Sequence, residues 1–422
     1  MGVKGGSDMQ INPFLEKSTD IEKSYENWQN LAMQPYDLKN TSPFTKVRII
    51  LMNGTEFESN WYSHQFSRHC PDNDLRRELA LIRRREQQQQ KKIASLKPIE
   101  ETVLQHTMGY EQLAVELTAI LAQHVEDSNV KMALEFALLE DFDHVFRFAN
   151  LLEMDEGIKG ETLLGGYTEI MPGRPTIAEH RYPADEIKKH IRSKQADLFT
   201  KLTAHIITAA EQQTMNFYMN QANFYPTELG RKLYTEIAMI EEQHVSQYGS
   251  LLDTNCSWLE GLLMHEYTEC YLYYGCYEDE SDKEIKSLWK ALYLEECGHL
   301  QKVAELLEKY EGKSWKQVFP DGGNFPKRLR FGENKEYVRK VLEETGDYTA
   351  KLESYEKVEN MPKDAPFFTY NKAVNKPTES VASHEVIQKH IAKFGADYRY
   401  EENENPIQAL RDRKKDNTTF AR

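Results

Sequence analysis

Three histidines each stand three residues after an acid, in Asp141-x-x-His144, Glu241-x-x-His244 and Glu296-x-x-His299. Each pair follows an earlier glutamate at one fixed distance. Counted from Glu111, Glu211 and Glu266, the second acid falls at offset 30 and the histidine at offset 33. Offsets 40 to 42 read Leu151-Leu152-Glu153, Leu251-Leu252-Asp253 and Leu306-Leu307-Glu308. With only 13 histidines in 422 residues, this coincidence marks an internal repeat. Carboxylates and neutral imidazoles gathered in an apolar interior suit divalent transition metals, because the cation offsets the cost of burying the acids. A single acid–histidine pair at this spacing reads equally well as an ion pair or a hydrogen-bonded core histidine. Three copies in phase favour a metal.

Such residues need helices to bring them together. Each copy reads as a helical hairpin, with turn signals midway at Asp127-Ser128-Asn129, Tyr225-Pro226-Thr227 and Ser281-Asp282-Lys283-Glu284, the last in capping-box form. In the second helix of the first copy, Leu134, Ala137, Asp141, His144, Val145, Phe148, Leu151 and Leu152 climb one face. The other copies place Tyr234, Ile237, Glu241, His244 and Tyr248, and Trp289, Leu292, Glu296, His299 and Val303, on the same stripe. About 15 residues up and about 15 down, at roughly 1.5 Å each, return the two acids of a hairpin to one level. One glutamate on the first helix and acid-x-x-His on the second is half of a carboxylate-bridged dinuclear site.

This constellation resembles the ferritin-like di-iron carboxylate proteins: ferritins, rubrerythrins, the small subunit of class I ribonucleotide reductase and bacterial multicomponent monooxygenases. The resemblance covers roughly residues 100–310 and identifies no single member. It implies an all-α fold, a ferritin-like helical bundle built from three Glu/(Glu or Asp)-x-x-His hairpins with less regular N- and C-terminal extensions. It also implies two iron ions (or manganese, or mixed Mn/Fe) and an O2-dependent oxygenase or oxidase acting on a small organic substrate. Reducing equivalents would come from a partner, such as a reductase or electron-donor protein, or from the substrate, since no GxGxxG fingerprint is present. A ferroxidase or peroxide scavenger, and a structural helical protein with a vestigial site, are the alternatives.

Two hairpins make one site in that superfamily, so three leave the ligand set open: Glu111, Asp141, His144, Glu211, Glu241, His244, Glu266, Glu296 and His299 are all candidates. The superfamily's long crossover fits the Gly- and Pro-rich connection 154–183, whereas only about four residues separate Leu252 from the helix near Ser257. Chain length thus favours hairpin 1 with hairpin 2 or 3, and the set from Glu111 to His244 is preferred. The cleaner motifs of hairpins 2 and 3, and an intermolecular site, stand as alternatives. Tyr248, one turn beyond His244, occupies the position of the reductase's radical tyrosine, with core packing as the plainer role. Glu140 and Glu269 are candidate extra ligands or outer acids.

The rest of the chain sets bounds. The net charge of −15 argues against nucleic-acid and anionic-membrane partners, and no apolar run reaches membrane-spanning length. No secretory or myristoylation signal is read, and five cysteines without a CxxC pair suit a reducing, cytoplasmic setting. Residues 1–98 read as an extension, mostly loops to residue 70, then a basic helix over 73–96 whose Arg83-Arg84-Arg85 run reads as a solvated face. Residues 99–311 read as the metal-binding domain, with hairpins 99–153, 184–253 and 257–311. Residues 312–422 read as a polar extension with one helix near 382–394, of the kind that wraps a partner subunit or stays mobile. A homo-oligomer is the expected assembly.

Overall fold

The structure, a computed structural model, describes residues 11–377 and 380–395, with 397 and 399. It is mostly helical. After α1 (Pro43–His69) and α2 (Asn73–Ala94), its long helices pack as three hairpins: α3 (Val103–His124) with α4 (Ser128–Glu156), α5 (Leu198–Phe224) with α6 (Glu228–Gly249), and α7 (Trp258–Asp279) with α8 (Lys283–Glu311). Side-chain caps start six of them. Thr102, Asp127, Asp197, Thr227, Ser257 and Asp282 each accept a hydrogen bond from a first-turn backbone N–H. The reciprocal capping box belongs to Ser257 and Glu260, whereas α8 is capped by Asp282 and not by the expected Ser281 motif.

The chain divides into two compact units. The larger comprises Met33–Glu58, Ile93–Thr254 and the residues from Phe331 onward. The smaller comprises the residues up to Ala32, Ser59–Lys92 and Asn255–Arg330. The expected single domain over 99–311 is therefore split, with hairpins α3–α4 and α5–α6 in one unit and α7–α8 in the other. The short link after Leu252 cannot run the roughly 30 Å length of a 20-residue helix, so it supplies no lengthwise crossover between α6 and α7.

Within the larger unit, α3 packs on α4 and α5, and α6 packs on α5 and α4, closing a four-helix arrangement. All eight residues of the α4 stripe are buried, as are Tyr234, Ile237, Glu241, His244 and Tyr248 on α6. Val245 and Leu252 are only half-buried. The C-terminal extension covers its own unit. After α9 (Lys335–Thr345), the strand pair β1 (Tyr348–Lys351) and β2 (Ser354–Lys357), and α10 (Pro366–Val374), helix α11 (Ala382–Phe394) packs on α4 and α6. Buried Arg147 donates to the Ser383 carbonyl at 2.7 Å, and His390 Nε2 meets Glu153 at 2.9 Å. Residues 401–422 of the expected extension lie outside the described residues.

Helix α1 corrects the reading of residues 1–70 as mostly loops. Asn53-Gly54 looks like a turn, but Gly54 lies mid-helix, where a Cβ would come within 2.7 Å of Gln213 Cβ. Glycine here serves a close helix approach. The Arg83–Arg85 run also departs from a solvated face: Arg85 is fully buried and pairs with Glu295 at 2.6 Å and Glu26 at 3.0 Å.

Candidate metal centre

Glu111 from α3, Asp141 and His144 from α4, Glu211 from α5, and Glu241 and His244 from α6 converge in the core of the larger unit. Each is at most 1% exposed. Their ligand atoms form two overlapping groups, Asp141–Glu211–Glu241–His244 and Glu111–His144–Glu241, each within 4.8 Å. Glu241 belongs to both. Its Oε1 lies 3.0 Å from His144 Nδ1 and its Oε2 lies 3.2 Å from His244 Nδ1. His244 Nδ1 also faces Asp141 at 3.3 Å and Glu211 at 3.8 Å. These are the preferred candidates of the sequence, brought together. Hairpin 3 contributes none of them.

The outer nitrogens of both histidines are held by further acids. Glu140 meets His244 Nε2 at 2.7 Å, and Glu179 meets His144 Nε2 at 3.2 Å. A carboxylate on the far nitrogen fixes the tautomer and orients the near nitrogen, the usual support of a metal-bound histidine. Glu140 is thus an outer acid. It is held in turn by Arg181, whose Nη1 lies 3.0 Å from both of its oxygens, and by Arg174 at 3.6 Å.

Glu179 and Arg181 come from the crossover between α4 and α5, seated by backbone contact. Gly173 N donates to Asp143 Oδ1 at 3.0 Å and Arg174 N donates to the Leu139 carbonyl at 3.0 Å. A Cβ on Gly173 would overlap that carbonyl oxygen and come within 2.8 Å of the Asp143 nitrogen, so the chain lies flush on α4 only with glycine. The sequence reading missed both residues, because an irregular segment carries no periodicity. It also missed Tyr218, whose hydroxyl donates to Glu111 Oε1. The signal was available: an aromatic seven residues after the first glutamate recurs as Tyr273 in hairpin 3.

Burial disfavours the ionised form of most of these acids. Burial pushes Glu111 and Asp141 well above the carboxylate range and Glu211 to about 7. Burial opposes ionisation of Glu241 too, yet hydrogen bonds from the two histidines outweigh it and hold it at about 2. Both oxygens of Asp141 and of Glu211, and Oε2 of Glu111, lack hydrogen-bond partners. Buried acceptors left in this state cost roughly 1–3 kcal/mol each. Two divalent ions would match the four carboxylates in charge and accept these orphaned lone pairs, so the residues present fit a dinuclear centre.

Glu266, Glu296 and His299 gather separately in the smaller unit with an unforeseen fourth member, Glu86 of α2. Glu56, Glu86 and Gln89 repeat offsets 0, 30 and 33, so α1–α2 is a fourth copy with glutamine in place of histidine. The substitution hid it. Glu269, although buried, joins neither cluster among the described residues. Tyr248 lies beside the centre, its ring centroid 6.3 Å from that of His244 and its hydroxyl without a hydrogen-bond partner.

No protein-family model matches this chain, and neither a curated protein nor a solved structure does. Among the described residues, no helix is long and apolar enough to cross a membrane.

Proposed function

We propose that the larger unit holds two divalent metal ions, iron in the first instance, and serves an O2-dependent oxidoreductase acting on a small organic substrate. The observation that carries this reading is Glu241, whose two oxygens are divided between two histidines on facing helices. Glu241 would be shared by two ions, one held with Asp141, Glu211 and His244 and the other with Glu111 and His144. Bound iron would supply electron transfer to O2, as the resemblance to ferritin-like di-iron proteins implies.

The chain's own residues orient the imidazoles, with Glu140 and Glu179 on the outer nitrogens turning Nδ1 inward, and their burial excludes bulk water. Asp141 and Glu211, whose oxygens have no hydrogen-bond partner, would hold the ions without competing protein contacts. Tyr248, buried one turn from His244, is the candidate electron relay. A cleft lined by His180, Glu186, Glu236, Met239, Glu242 and Tyr370 adjoins the crossover that carries Glu179, and the organic substrate is assigned to it. Storage chemistry is less favoured, because much of the chain forms elaborations around the bundle.

Elemental analysis of the purified protein, followed by anaerobic Fe2+ loading and exposure to O2, tests the proposal. Saturation near two irons in the larger unit, with O2 uptake that depends on an added reductant, is expected. The variant Glu241→Ala with His244→Ala should lose both. Unchanged metal content in that variant would exclude the assignment, and accumulation of many irons per chain would favour storage.

A further inference from the structure

We infer that the smaller unit carries a separate, mononuclear site in which Glu86, Glu266, Glu296 and His299 hold a single divalent transition-metal ion. The four come from α2, α7 and α8, are each no more than 1% exposed, and place their ligand atoms within 4.8 Å of one another. His299 Nδ1 faces Glu296 Oε2 at 3.2 Å, Glu266 Oε2 at 3.8 Å and Glu86 Oε1 at 3.9 Å. Neither oxygen of Glu86 has a hydrogen-bond partner, although its side chain is fully buried and aimed into the group. A buried carboxyl with no hydrogen-bond partner is relieved by a cation placed among these ligand atoms. Arg85 is not that cation, because it is taken up by Glu295 and Glu26.

The limit of one ion follows from Gln89. At the position that is histidine in the other three hairpins, its amide Nε2 donates to Glu296 Oε1 at 2.6 Å and to Glu295 Oε2 at 3.1 Å. Glu296 therefore offers only Oε2 inward. Its counterpart Glu241 offers an oxygen to each of two imidazoles, so a His-to-Gln difference separates a bridging carboxylate from a terminal one. Three carboxylate oxygens and one imidazole suit Mn2+ or Fe2+ over softer, thiolate-seeking ions. His299 also differs from His144 and His244 in that its Nε2 has no hydrogen-bond partner, so no outer acid raises its basicity. This site should accordingly exchange its metal faster than the dinuclear one.

The test uses the full-length protein and Mn2+ alone. Wild type should bind three equivalents, and the variant Glu241→Ala with His244→Ala should bind one, giving the resolved hyperfine spectrum of an isolated, uncoupled Mn2+ ion. In that background Glu86→Gln and His299→Gln should each weaken the remaining ion by no less than the roughly 10–100-fold typical of losing an outer partner. Circular dichroism identifies any variant that fails to fold. No bound ion in the background variant, an exchange-coupled pair there, or unchanged affinity in both single variants would overturn the inference. Because wild type binding a single, uncoupled ion would remove only the dinuclear centre, the two assignments fail separately.

Discussion

Replacing Arg181 with methionine removes the charge that keeps Glu140 ionised beside His244. The guanidinium is fully buried, 3.0 Å from both Glu140 oxygens, and donates to Gln247 at 3.2 Å. Burial opposes ionisation of Glu140, but Arg181, His244 and Arg174 together hold it at about 2. Breaking one side of a buried pair costs ~3–5 kcal/mol, and the surviving Arg174 contact at 3.6 Å sets the expectation at the lower end, ~3 kcal/mol. For a unit of this size that corresponds to a fall in Tm of roughly 6–12 °C at pH 7. A depressed folded pKa gives stability that is present above the ordinary carboxylate value and lost as pH falls through the folded one. The gap between wild type and variant should therefore be widest above pH 4.5 and close as pH approaches about 2.

Metal affinity should fall as well. Once protonated, Glu140 would donate to His244 Nε2 and leave the imidazole proton on Nδ1, the atom that faces Glu241 and Asp141 at the proposed metal position. An outer-partner loss of roughly 10–100-fold is expected in a chelator competition assay. Adding Glu140→Gln should make the double variant more stable than the sum of the single effects by more than ~1 kcal/mol. Calorimetry of metal-free protein at pH 7 and pH 3 reads the stability terms. A Tm change below about 2 °C at pH 7, together with unchanged metal affinity, would refute the assigned role of Arg181.

Three further perturbations probe other contacts. Gly173→Ala should lift the crossover from α4, lowering stability by ~1–3 kcal/mol and weakening metal retention through loss of the Glu179–His144 contact, read by thermal melts and elemental analysis. Glu241→Gln, which cannot bridge, should lose both ions of the larger unit, whereas Asp141→Asn should spare the ion on the Glu111–His144 side; metal-to-protein ratios separate these outcomes. Burial raises Glu116 to about 7 against hydrogen bonds from Thr168 and Asn334. The folded state therefore holds a proton that the unfolded state releases, and stability falls as pH rises through that window. Glu116→Gln should flatten this slope and raise Tm above pH 7, and an unchanged pH profile would count against it.

The repeats were legible in the sequence because acid and histidine interrupt apolar stripes at fixed offsets, and helices α3–α8 stand where that spacing requires. The fourth copy was not, for two reasons. Gln89 replaces the histidine that defines the motif, and Val47, Ile49, Ile50, Leu51 and Met52 form a continuous buried run, with no stripe to reveal a helix. Pairing of the hairpins was legible in part, since the short link after Leu252 excluded a crossover there. What joined Glu86 to hairpin 3 was tertiary packing, which periodicity does not report. Glu179 and Arg181 were hidden for another reason, because their placement depends on Gly173 seating an irregular segment.

The order of the hairpins along the chain has a consequence for biosynthesis. The larger unit's four core helices are contiguous, but the smaller unit needs α2 from one end and α7–α8 from the other. At translation rates of about 5–20 residues per second, Glu86 leaves the ribosome roughly 10–40 seconds before His299. During that wait the apolar side of the early helices has no permanent mate, while the intervening helices can already collapse on one another. Nascent chains stalled between residues 254 and 311 should be the species that engage chaperones most.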